Sequence, residues 1–156
     1  MKVLMLTPYL PYPLLTGGQT RSYNLIKRLS SLGHEITLFC LVKSDNEKIY
    51  VSELKKYCLN LSVFKRPEKP WTITNILRTA LSVYPFLVIR NWAKGEKDAI
   101  EGILKREDFG LIHAETFYVM PHIPATKIPI LLVEQTIEYL VYKHFVDEFP
   151  LFFLKP

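Results

Sequence analysis

The sequence predicts an α/β protein, a Rossmann-like open parallel sheet with helices on both faces. Five short apolar segments alternate with stretches of helical periodicity along the chain. The apolar segments are nearly continuous runs, the pattern of strands covered on both faces, and right-handed crossovers place the connecting helices on those faces. With 156 residues and 49% hydrophobic content the chain can fill one domain core.

The elements follow in order. "KVLMLT" (2–7), bounded by Pro8, is a first central strand. A loop holding Pro8, Pro11, Pro13 and the pair Gly17-Gly18 comes next. From Thr20 onward Leu25, Ile26, Leu29 and Leu32 recur at helical spacing while Arg21, Asn24, Lys27 and Arg28 fall elsewhere, and Gly33 supplies the stop. "HEITLFCLV" (34–42) is a second strand, and Ser44 with Glu47 forms a capping-box signature for a helix reaching Cys58. "LNLSVF" (59–64) is a third strand, followed by the charged, proline-broken "KRPEKP".

The alternation then loosens. Ile73, Ile76, Leu77, Ala80 and Leu81 share one helical face, and "FLVIRNW" leads into a second helix over 93–106 with Ile100, Ile103 and Leu104 inward. "FGLIHAE" (109–115) and "IPILLVE" (128–134) are two further buried strands, and Ile137, Leu140, Val141 and Phe145 stripe a last helix. Ligands of such sheets gather outside the carboxyl ends of the strands. Residues 7–18, 41–44, 115–117 and 134–138 are therefore expected to line one crevice.

Composition narrows the function classes. No run approaches the roughly 18 apolar residues of a membrane span, and Met1-Lys2 leads directly into strand, leaving export unsupported. Cys40 and Cys58 lack metal-ligand spacing and read as buried thiols of a reducing cytosol. The net charge of +5 suggests an anionic partner without choosing one, and no nucleic-acid motif accompanies it.

Adjacent glycines before a helix permit positive φ and close approach to a ligand, while the unpaired N–H groups of a helix start favour an anion. A tight loop alone explains such a pair equally well. The sequence has neither GxxxxGK[ST] nor GxGxxG after the first strand, so the common phosphate loops are excluded.

"MKVLMLTPYLPYPLLTGGQTRSYNLIKRLSSLGHEITLFC" (1–40) resembles the amino terminus of glycosyltransferase family 4 and related GT-B enzymes. Those open with a strand, a proline-containing loop, a GG pair, a helix ending in "LxxxGHEV" and a second strand. "FGLIHAE" resembles the family strand "D-hydrophobic-hydrophobic-H-x-H", with His113 at its first histidine and Glu115 replacing the second. "LLVEQTIEYLVYKHF" resembles the stretch written "hydrophobic-hydrophobic-HN-x-E", with Glu134-Gln135 replacing His-Asn and Glu138 matching the glutamate.

The resemblance implies the amino-terminal, acceptor-side half of a retaining, metal-independent enzyme without a resident cofactor. Such an enzyme moves a sugar from a nucleotide diphosphate sugar to an acceptor hydroxyl. The chain 1–156 is then an amino-terminal domain, incomplete at its end, whose partners are a nucleotide-sugar, a sugar or lipid-linked acceptor, and a carboxyl-terminal domain that holds the donor. This fragment is expected to be inactive by itself, since the cleft that excludes water is absent.

The candidate residues each have two readings. Glu115 is a sugar contact or base, or else an exposed loop carboxylate; His113 is catalytic, or else a hydrogen-bonded core histidine. Backbone N–H groups of Gly17, Gly18 and Gln19 are expected to face the leaving diphosphate, and Arg21 to reach the acceptor or to sit in solvent. Glu138 completes the substrate-binding set, and no metal site is expected.

Residues 63–97 mix Lys65, Arg66, Arg78, Arg90 and Lys94 with Phe64, Trp71, Tyr84, Phe86 and Trp92. That mixture suits an anionic membrane surface, or else a core with a charged rim. A cytoplasmic protein, peripheral on the inner membrane face in the first case, is the expected setting. The alternative function is a non-catalytic Rossmann-like binding or regulatory module.

Overall fold

The computed structural model describes residues 1–134 together with Leu140, Lys143, His144 and Asp147. Five parallel strands form one open sheet: β1 (Lys2–Thr7), β2 (Glu35–Val42), β3 (Asn60–Lys65), β4 (Leu111–Glu115) and β5 (Ile130–Val133). Their order is β3-β2-β1-β4-β5, so the chain moves outward from β1 to one edge, returns, and continues on the other side. This is the Rossmann-like sheet expected from the sequence. β1 is the centre because its residues 3–6 are wholly buried between two hydrogen-bonded neighbours.

Alternation of side chains divides the core into two layers. Met5, Ile36, Leu38, Cys40 and Val42 face Tyr23 and Ile26 of helix α1 (Gly17–Ser31) and Leu54 of helix α2 (Val51–Leu54). Leu4, Leu6, Phe39, Ile112 and Ala114 face Ile100 and Ile103 of helix α5 (Glu96–Leu104). Helices therefore cover both faces of the sheet.

α1 owes its bounds to local chemistry. The Thr16 hydroxyl caps its start by accepting from the Gln19 amide at 3.3 Å, and Gly33 follows its end at a φ of +80°, a conformation that strains any residue with a Cβ. The helix anticipated after Ser44 is different. Residues Asp45–Tyr50 form a 3-10 turn and α2 adds only four residues. Glu47 does accept from the Ser44 amide at 3.0 Å, as a capping box requires. Val51, Leu54 and Cys58 reach the core, but Asp45–Tyr50 buries no side chain, and a segment without an apolar face is not sustained as α-helix by propensity alone.

Helix α3 (Ile73–Ala80) matches its sequence pattern, yet Ile73, Ile76 and Leu77 are at least half exposed. The helix expected over 93–106 is present but shorter, α5 beginning only at Glu96 because Gly95 holds φ at +82°, and the preceding "FLVIRNW" segment holds a single turn, α4 (Phe86–Ile89). The last predicted helix, with Ile137, Val141 and Phe145, lies mostly outside the described residues; Leu140, Lys143, His144 and Asp147 are helical. No described helix is long and apolar enough to cross a membrane.

Candidate functional site

The sheet order reverses between β1 and β4, the point outside whose strand carboxyl ends ligands of such sheets bind. Three chain segments meet at it: the loop from Thr7 to Thr16, the first turns of α1, and residues Glu115 to Phe117. The loop is tied down by polar contacts. The Thr7 hydroxyl donates to the Tyr9 carbonyl at 2.7 Å, the Tyr9 and Ser22 hydroxyls lie 3.0 Å apart, and the Gln19 amide side chain donates to the Leu10 carbonyl at 3.0 Å. The Tyr12–Pro13 peptide is cis.

Gly17 and Gly18 are the first two helical residues, and neither takes a positive φ. The expectation of a left-handed turn there is corrected: the chain turns in the preceding proline loop, so the pair is free to begin the helix. A Cβ built on Gly17 would meet nothing within 4 Å, so the space over this helix start is open. The amides of Gly17 and Gly18 remain as donors toward it. Gln19 is corrected as well. Its amide is already taken by Thr16 Oγ1 and its side chain by the loop, so it braces the site.

Arg21, His113 and Glu115 come together. β4 sends His113 and Glu115 to the α1 side of the sheet, two residues apart, and Arg21 projects from the second turn of α1 to meet them. Arg21 Nη1 and His113 Nε2 both contact Glu115 Oε1, the latter at 2.9 Å. Glu115 is fully buried and His113 is 4% exposed, so the reading of Glu115 as an exposed loop carboxylate is set aside. The arginine decides the charge state: a buried carboxylate beside a guanidinium is held ionised, and an ionised carboxylate only accepts, which puts a hydrogen on His113 Nε2. The Arg21 side chain is 43% exposed while that of Glu115 is 0% exposed, so the cluster shows the crevice its cation and hides its anion.

Sequence reasoning overlooked Thr116, immediately after Glu115. It sits at φ 68°, ψ 154°, a region that only glycine occupies without strain, and its hydroxyl is buried without a partner. Its amide donates to the Val133 carbonyl at 2.8 Å, and the next amide, of Phe117, donates to Glu134 at 2.6 Å. β5 thus pins the turn that aims Glu115. No composition signal marks a strained threonine. Glu138, the remaining candidate, lies outside the described residues.

A small cavity of about 200 Å³ adjoins the start of α1, bordered by Thr16, Gln19, Lys43, Glu47 and Arg66. Cys40 and Cys58 are buried, and burial raises both thiols, Cys58 to about 12. Among the described residues no cluster of three or more His, Cys, Asp or Glu side chains is arranged to hold a metal ion.

The fold is a Rossmann-like open parallel α/β sheet, with the Arg21–Glu115–His113 cluster and the start of α1 beside its switch point. Comparison with protein-family models, with curated proteins and with solved structures gives no match.

Proposed function

We propose that the chain is the acceptor-side half of a retaining glycosyltransferase that uses a nucleotide diphosphate sugar. The observation that carries this reading is the Arg21–Glu115–His113 cluster beside the diglycine helix start, at the sheet's switch point. Negative charge grows on the departing diphosphate in such a transfer, and stabilising it is the main catalytic task. The amides of Gly17 and Gly18, with the α1 dipole behind them, suit that charge. Arg21 adds a cation one turn further along. Glu115, with its Oε1 accepting from both neighbours, serves as a positioning residue that fixes Arg21, and His113 holds Glu115 from below. A second domain carrying the donor closes over this face and excludes water.

The test is a transfer assay on the product of the whole reading frame, with a panel of nucleotide-sugars and sugar or lipid-linked acceptors. Arg21→Ala is expected to lower kcat by about a hundredfold or more, the usual scale for removing a transition-state charge contact. Arg21→Lys should restore part of it. Absence of transfer with every donor, together with tight nucleotide-sugar binding by residues 1–156 alone, refutes the assignment. An Arg21→Ala enzyme of unchanged kcat refutes the role given to the cluster.

A further inference from the structure

Where β3 ends, the chain leaves a basic side chain in an unusual state. Arg66 is 8% exposed, its Nε is buried without a hydrogen-bond partner, and it joins no ion pair among the described residues. Arg90, from the end of α4, also has a buried Nε without a partner. Burial and the neighbouring charge of Arg90 both push the Arg66 guanidinium below its ordinary pKa, with Glu47 opposing them more weakly. Two like charges thus approach each other, each with its Nε shut away from solvent and without a partner. Such an arrangement costs stability unless an anion completes it.

Arg66 borders a cavity of about 1000 Å³ between the end of β3 and helices α3 and α4. Arg78 and Lys94 add two further cations to its wall, and neither has an ion-pair partner among the described residues. The rest of the wall is largely apolar. Leu77 of α3 and Leu81, just past its end, stand 56% and 89% exposed beside Trp92, an apolar surface that the described chain leaves open. Among the described residues of the wall, these three cations outnumber the one carboxylate without a cation partner, Glu68, and share the wall with bare aliphatic surface, a lining that suits an amphiphilic anionic guest.

We propose that this cavity binds an organic phosphate bearing an apolar substituent, with the phosphate against Arg66 and the substituent along Leu77, Leu81 and Trp92. A phosphate suits the place better than a carboxylate because its tetrahedral set of oxygens can meet more than one cation at once and still match the guanidinium fork. Arg66 also borders the small cavity lined by Thr16, Gln19 and Lys43, so it stands between the two cavities. The inference rests on the unpaired guanidinium and the cavity, and it holds whether or not the chain transfers sugars.

Calorimetric titration of the full chain tests it with octyl phosphate below its micelle concentration, octanol and inorganic phosphate. Sedimentation with phosphatidylglycerol and with phosphatidylcholine vesicles separates a lipid headgroup from a free phosphate ester. Octyl phosphate is expected to bind at least about tenfold tighter than either octanol or inorganic phosphate, since each holds only one half of the interaction. Arg66→Met should lose that advantage and yet melt at a higher temperature than the parent, because an uncompensated buried charge has gone. Arg78→Gln, at an exposed position that cannot unfold the protein, should weaken octyl phosphate by several-fold. Sedimentation with phosphatidylglycerol alone, lost in Arg66→Met, identifies the guest as a lipid headgroup. Equal behaviour on both vesicles identifies a soluble ester. Octyl phosphate binding no tighter than octanol, or unchanged binding in Arg66→Met and Arg78→Gln, overturns the proposal.

Discussion

Glu96 and His122 make the pH dependence of stability calculable. Both are fully buried, and His122 Nδ1 lies 3.2 Å from Glu96 Oε2. Burial raises the Glu96 carboxyl from 4.5 to about 8 and lowers the His122 imidazole from 6.5 to about 4, with the charge of Lys97 also lowering the latter. Both groups are thus neutral in the folded protein near pH 6. For Glu96 the folded value is the raised one, so its contribution is complete below 4.5 and is lost as pH rises through 8. For His122 the folded value is depressed, so its contribution is complete above 6.5 and is lost as pH falls through 4.

Between pH 4.5 and 6.5 the two slopes cancel, and above 6.5 only the Glu96 slope remains. At about 1.4 kcal/mol per unit, stability falls by about 2 kcal/mol from pH 6.5 to 8. Glu96→Gln, which cannot ionise, should abolish that fall while leaving the rise between pH 4 and 6.5. Urea denaturation at pH 5.5, 6.5 and 8, followed by tryptophan fluorescence and far-ultraviolet dichroism, measures the difference between the two proteins. Other titrations are common to both and cancel. Parallel profiles of the two proteins between pH 6.5 and 8 would show that Glu96 is not held neutral, and the reasoning would fail.

Two further predictions concern the crevice. Arg21→Met leaves the buried Glu115 carboxylate without its cation. The cost should be about 2 kcal/mol, less than the about 3–5 for a fully buried pair because Arg21 is partly solvated. Urea denaturation checks it, and adding Glu115→Gln should recover part of the loss; a neutral Arg21→Met would deny that the pair is formed. Thr116→Gly removes the strained φ and the unpartnered hydroxyl, so it should raise stability by about 1 kcal/mol despite the greater freedom of the unfolded chain. A lower denaturation midpoint would mean that Thr116 is unstrained.

The sheet was legible because buried parallel strands write themselves as continuous apolar runs, as "KVLMLT" and "ITLFCLV" do. The short helices were not. Residues 45–50 carry a capping signal without the apolar face that would make them α-helix, and the left-handed Gly95 delays the start of α5 within a periodic stretch that looks continuous. For the site, topology correctly placed the diglycine helix start and the end of β4 on one rim. That Arg21 would reach Glu115 could not be read, because their meeting depends on the register of β1 beside β4. Nor could Thr116, Arg66 or the Glu96–His122 pair, whose significance lies in burial without partners rather than in residue type.

Arg21 and Glu115 are 94 positions apart, and the strand that carries Glu115 joins the sheet on the far side of β1 from β2 and β3. A nascent chain can assemble β1, β2 and β3 with α1 packed on them before β4 has been synthesised. During that interval the arginine has no carboxylate to hold it. The Arg21–Glu115 contact therefore forms only once both halves of the sheet have been joined, and its formation reports that closure.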